Sequence, residues 1–234
     1  AFVIYALALV LSLVYYGRMQ GIIEGLRARS AAVAQQRELA TVGGPAGDAV
    51  LGDAPSAGLS EDADLAKKQE KADKLGGMTQ MLLWLGIALH LAAIVLRGLA
   101  TSRFPFGNLY EYVLMVTAGV MVVATIAMQR KEWRTLWPWL LTPILALMFY
   151  GSTKLYAESA PVVPALQSHW LPIHVTVVSL GASIGIVSGI ASLLSVLRVH
   201  QGKGREHGFF GAIARPLPSA KKLDQLAYRL GAVS

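Results

Sequence analysis

Five stretches of the chain are apolar almost without interruption: about 1–16, 78–97, 109–128, 136–151 and 171–198. A bilayer core of roughly 30 Å takes about 20 helical residues. Backbone polar groups inside lipid must be paired, which leaves helices or a closed barrel. A barrel would show alternating segments of about ten residues, and the chain has none. The pattern predicts an all-α integral membrane protein with about five transmembrane helices, the first of them shortened. Ala1 already lies inside an apolar run, and "LDQLAYRLGAVS" opens a helical pattern that stops without a cap, so both ends are expected to continue.

The polar segments divide the remainder. Residues 18–40 read as a helix continuing out of the first span. "TVGGPAGDAVLGDAPSAGLS" is rich in Gly, Ala and Pro and nearly free of large apolar side chains, which predicts disorder. "EDADLAKKQEKADKL" places opposite charges three or four apart and predicts a charged helix leading into the second span. The expected organisation is a first helix over 1–16, a helical and disordered cytoplasmic loop over 17–77, a four-helix membrane core with outer loops over 78–198, and a basic cytoplasmic segment over 199–234.

Composition agrees with a membrane protein. Of 234 residues, 54% are hydrophobic and 15% charged, and mean hydropathy is +0.50. With no cysteine there is no disulfide, thiolate metal site or cysteine nucleophile. The formal charge is +7. Its basic residues are spread over several loops without an aromatic-laced patch, so nucleic acid is not an expected partner. They report topology instead. Alternating spans put 17–77, 129–135 and 199–234 on one side, and with Arg198 that side holds 18 of the 21 basic residues. By the positive-inside rule it is cytoplasmic, and 98–108 and 152–170 face outward.

Few residues can carry chemistry. His200 and His207 lie in the basic tail and His169 beside Trp170 in the outer loop, all read as surface residues. His90 and His174 sit in or at the edge of apolar helices, where an ionisable group is expensive and marks a candidate site. On the helix of His174, Gly181 and Gly185 fall about 20° to either side of it, and Gly189 extends the ladder. Such a ladder packs helices closely, or it gives a large planar ligand a flat face topped by an imidazole. Pro172 suits the first helical turn, and Trp170 adds an aromatic plane. Arg97 is seven residues beyond His90, on nearly the same face. The pair suits an axial ligand with a guanidinium above it for a carboxylate. It equally suits a hydrogen-bonded histidine beneath a snorkelling arginine. In "RFPFGNLYEY", Asn108 is placed to cap the next helix, and Glu111 can pair with Arg97 or Arg103 or simply favour the helix start. No phosphate loop or HExxH is present. Two membrane histidines without cysteine fit bis-imidazole haem ligation better than zinc, which wants more ligands.

Three segments together resemble a known family. "RGLATSRFPFGNLYEY", "ALQSHWLPIHVTVVSLG" and "LDQLAYR" occur in the order found in cytochrome c biogenesis proteins of the CcsA/ResC type, a haem-handling superfamily. The resemblance implies a membrane subunit of a system II cytochrome c synthetase. Such a subunit works with a ResB-type membrane partner and presents haem b to an apocytochrome c with a CxxCH motif, on the extracytoplasmic side of the plasma membrane. In the family an outer haem lies between two histidines that flank a tryptophan-rich segment. His174 matches the first, with Trp170 beside it; His90, with Arg97, matches a histidine before the Asn-Leu-Tyr-Glu segment. The 234 residues stop before that tryptophan-rich segment and its later histidine, so the resemblance implies half an outer site. Two other classes remain open: a small-solute or ion transporter using His90, Arg97 and Glu111, and a ligand-free scaffold subunit.

Overall fold

A computed structural model describes residues 1–42, 54–102, 104–156, 170–204 and 206–233. All regular structure among them is helical: α1 Phe2–Val42, α2 Ala54–Thr101, α3 Leu109–Ala127, a 3-10 turn Lys131–Leu136, α4 Trp137–Lys154, α5 Trp170–His200, α6 Gly208–Ala214 and α7 Ala220–Gly231. Parts of α1, α2, α3 and α5 are long and apolar enough to cross a membrane. The fifth expected span corresponds to α4, which is a shorter helix of 18 residues with Pro143 inside it. Its residues Leu140, Leu141 and Ile144 are buried among the other helices.

Both α1 and α2 run well past the bilayer length as single helices. The expected helix over 18–40 and the charged helix over 61–75 are their extensions. The tract read as disordered is partly helical: α1 ends at Val42 and α2 starts at Ala54, while 43–53 lie outside the described residues. Pro55 explains the early start, because proline is tolerated in a first turn whose N–H groups have no partner. The two extensions pack on each other through Tyr15, Ile22 and Ala72.

Helices α1 to α4 form a ring. α1 packs on α2 and α4, and α3 packs on α2, α4 and α5. The ring's centre holds Tyr5, Leu83, Ile87, Val120, Met121 and Ile144. In lipid, apolar burial does not distinguish core from surface, so close contact and hydrogen bonding must hold helices together. The α3–α5 crossing shows this. A Cβ on Gly119 would lie 2.4 Å from Ser183 Oγ. That hydroxyl donates to the Ser179 carbonyl at 2.6 Å and reaches the Val116 carbonyl of α3 at 3.2 Å.

At the end of the bundle rich in Lys and Arg, the 199–234 segment folds back onto the bundle. Pro216 and Pro218 separate α6 from α7. α7 lies along α5, with Ser188 and Ser195 donating to the Ala227 and Ala220 carbonyls. α6 docks on α1: Tyr16 Oη donates to the Ile213 carbonyl, and Gln20 Nε2 donates to the Ala212 carbonyl at 2.6 Å. His200 and His207 are exposed, as expected of tail residues.

Candidate ligand site around His90

His90 projects from α2 into the ring and is fully buried. Its neighbour is Tyr5 of α1, edge-on with ring centroids 5.8 Å apart. Tyr5 Oη lies 3.5 Å from Nδ1, a long contact. Nε2 is buried without a well-formed hydrogen bond, although the Leu114 backbone of α3 lies close enough to interact with the ring. A buried nitrogen without a good hydrogen bond is costly, at about 1–3 kcal/mol, which makes this ring a candidate ligand-binding group. His90 lines a cavity of about 210 Å³ together with Val113, Leu114 and Thr117 of α3 and Met148 and Gly151 of α4. Ligand sites of drug size run from roughly 300 Å³. This cavity therefore admits the edge of a large planar molecule, not the whole of it.

Glycine makes the Tyr5–His90 arrangement possible. Gly86 is one turn before His90, and a Cβ there would meet Tyr5 Cε1 at 2.5 Å. Neither Tyr5 nor Gly86 was identifiable as a site residue from the sequence. Their signals are weak: a tyrosine in an N-terminal apolar run, and a glycine in a helix that nothing local requires.

Above the cavity sits a polar lip. Arg97 Nε binds Glu111 Oε1 at 3.0 Å, with the Glu111 side chain fully buried. The other carboxylate oxygen accepts from Gly107 N at 2.7 Å. Asn108 caps α3 by accepting from Glu111 N at 2.8 Å, which is the capping role expected of it. Arg103, the other partner considered for Glu111, lies outside the described residues. The Arg97 guanidinium also stands over Tyr110 and Tyr156, 5.6 and 5.9 Å from their ring centroids, and these two rings are in edge contact. Arg97 is thus an anchored part of the lip, not a cation snorkelling alone.

His174 and Trp170 lie apart from this cavity. Both are exposed near the start of α5, Trp170 at 76%. Among the described residues, two rungs of the glycine ladder below them meet no neighbouring helix: Gly185 and Gly189 have nothing within 4 Å of an added Cβ. These two positions therefore pack on no described helix of the bundle. The reason is geometric. α5 turns Ser179, Ser183 and Val187 inward instead, so the hydroxyl face meets α3 and the glycine face is left open. Among the described residues, no group of three or more His, Asp or Glu could hold a metal ion. Of the two candidate histidines, His90 is buried inside the bundle and His174 is exposed on its outside.

The family model described as cytochrome C assembly protein matches residues 75–234, which include His90, the lip and α5. A cytochrome c biogenesis protein CcsA from Porphyra purpurea is 28% identical over 128 residues, 53% of this chain and 39% of the relative. A CcsA from Rippkaea orientalis is 36% identical over 105 residues, 42% of this chain and 30% of the relative. A CcsA from a Synechococcus strain is 26% identical over 181 residues, 68% of this chain and 59% of the relative. The chain spans well under two thirds of the length of these relatives. No solved structure matches it. The chain is a multi-pass membrane protein that belongs to the cytochrome c assembly family.

Proposed function

We propose that this chain is a haem-handling membrane subunit acting in cytochrome c biogenesis, and that His90 is an axial ligand to haem b. One observation carries the reading: a fully buried imidazole whose Nε2 lacks a well-formed hydrogen bond lines a cavity between the helices. Imidazole is a haem ligand type. A ligating histidine characteristically donates its other ring N–H to a neighbour, and Tyr5 Oη stands where Nδ1–H would find one. Arg97, with Tyr110 and Tyr156, sits at the lip where a cofactor carboxylate would meet positive charge.

His174 and Trp170 belong to a second, outer site. The open glycine face of α5 lets a planar group approach the backbone, with the imidazole of His174 at its top. Residues beyond these 234, or a ResB-type partner, complete that site. This end of the bundle faces the extracytoplasmic side of the plasma membrane, where an apocytochrome c presents its CxxCH motif. Haem supplies the reactive vinyl groups; the chain holds and orients it and excludes water. An open transport pathway has less support, because Arg97 and Glu111 neutralise each other in the lip.

The test is an absorption spectrum of the full natural-length protein purified from haem-replete cells. A Soret band is expected, with His90→Gly losing most of it and added imidazole restoring it. A His90→Gly protein that keeps its full Soret band would overturn the ligand assignment. For His174→Ala the expected result is loss of mature c-type cytochromes, and normal cytochromes would remove His174 from the site.

A further inference from the structure

Where the bundle is rich in Lys and Arg, a second cavity of about 410 Å³ opens between the end of α3, the 3-10 turn and α7. Arg130, Glu132, Lys222 and Arg229 line it, over a floor that includes Trp133 and Leu226. Lys222 is paired with Glu132, so these two charges cancel. The guanidiniums of Arg130 and Arg229 have no hydrogen-bond or ion-pair partner among the described residues, which leaves a net charge of +2 on the cavity. Two unpaired guanidiniums converging on one hollow are the donor set of a phosphate site, since their planar forks match phosphate oxygens.

The surroundings favour one source of phosphate. Arg130 follows directly on α3, a membrane-crossing helix that ends at Ala127, so the hollow sits at headgroup depth. Trp133 is an interfacial aromatic. Ile126 of α3 and Tyr228 of α7, chain neighbours of the lining residues Ala127 and Arg229, are exposed at 60% and 76%. They give a hydrocarbon tail an apolar outer wall, while the cavity takes only the head. A soluble phosphate would gain nothing from that wall.

We propose that this cavity binds the headgroup of an anionic phospholipid from the leaflet facing the Lys- and Arg-rich end, and that Arg130 and Arg229 are its phosphate ligands. The site is separate from the His90 cavity and stands or falls without it. Each cation near an anionic membrane surface contributes about 1 kcal/mol. Removing both guanidinium charges therefore predicts roughly 30-fold weaker binding.

The experiment titrates the purified protein in neutral detergent with fluorescent phosphatidylglycerol, and with phosphatidylcholine for comparison. Native protein is expected to prefer phosphatidylglycerol, and the Arg130→Gln/Arg229→Gln variant to lose that preference. Arg18→Gln/Lys71→Gln, which removes two cations from elsewhere at the same end, is expected to bind like native protein. Equal phosphatidylglycerol affinity in native and Arg130→Gln/Arg229→Gln proteins would overturn the proposal. So would an equal loss in the Arg18→Gln/Lys71→Gln control, which would assign the preference to bulk charge or to the cavity that Arg18 and Lys71 line. Glycerol 3-phosphate at matched concentration is expected to leave the lipid bound; full displacement would assign the hollow to a free phosphate and overturn the lipid reading.

Discussion

Glu206 is a carboxylate outside the membrane held by four hydrogen bonds, and its replacement is the sharpest test of how the bundle is closed. Its two oxygens meet Arg27 Nη2 and Nη1 of α1, each at 2.9 Å. Oε1 also accepts from Arg198 Nη1 of α5 at 3.1 Å, and Oε2 from Gly204 N at 3.0 Å. The side chain is 1% exposed and that of Arg198 is 2% exposed. The Arg27 hydrogen bonds hold the acid well below the usual carboxylate range, at about 2 from an ordinary 4.5; burial opposes them, and Arg198 and Gly204 N reinforce them. At 1.36 kcal/mol per unit, that difference is about 3 kcal/mol of stability at neutral pH. The folded pKa is the lower one, so the contribution is complete above about 4.5 and is lost as pH falls toward 2. Glu206→Gln keeps the shape but leaves Arg198 buried without its counter-charge, a change of the same order. The assay is unfolding of detergent-solubilised protein by SDS, followed by loss of helical circular dichroism. At pH 7 the variant should be less stable by about 3 kcal/mol, and the gap should close as both proteins are taken toward pH 2. Equal midpoints at pH 7, or a gap that persists in acid, would refute the reasoning.

Other perturbations follow from the same geometry. Glu111→Gln leaves Arg97 without its carboxylate at the lip and should destabilise by about 3 kcal/mol, read by the same SDS titration. Asn108→Ala removes the α3 cap and should cost about 1 kcal/mol, with no change in any bound chromophore. Gly86→Ala forces Tyr5 out of its place beside His90. It should destabilise by about 1–3 kcal/mol through overpacking and lower haem retention, whereas Gly185→Ala, which meets open space, should leave stability within about 0.5 kcal/mol. Tyr5→Phe removes the hydroxyl facing Nδ1; in the haem-bound protein the iron midpoint potential should shift while the fold is retained, and an unchanged potential would show that Tyr5 does not orient the ring.

Much of this arrangement is written locally and can be read without a structure. Apolar runs gave the helices, and the Gly107-Asn108 pair gave the start of α3. The expense of a histidine in lipid singled out His90, and Glu111 was confined to a short list of partners that included Arg97. What could not be read depends on which face of a helix meets which neighbour. Tyr5 and His90 are 85 positions apart, and only the packing of α1 on α2 brings them together. The glycine ladder of α5 has a period that permits close packing, yet the competing Ser179–Ser183 face took that contact through its hydrogen bonds. Proline and alanine carried the start of α2 into a tract whose composition reads as disordered. Glu206 follows a flexible-looking Gly-Lys-Gly run, and no sequence period points to the two arginines that enclose it.

The two ends of α1 are joined by one helix face. At 100° per residue, Tyr16 falls about 20° from Tyr5 and Arg27 about 40°, with Gln20 and Glu24 between about 60° and 100°. The stripe that meets His90 at one end therefore continues toward α6 and Glu206 at the other, through Tyr16, Gln20, the Glu24–Arg215 pair and Arg27. In lipid a helix can rotate about its axis at little hydrophobic cost, because every face finds an apolar neighbour. Directional bonds must then set the rotation of α1, and nearly all of those identified lie at its basic end. The ion pair at Glu206 and the hydroxyl of Tyr16 hold the angle at which Tyr5 reaches the His90 ring, about six turns away from Arg27 at the far end of the same contact face.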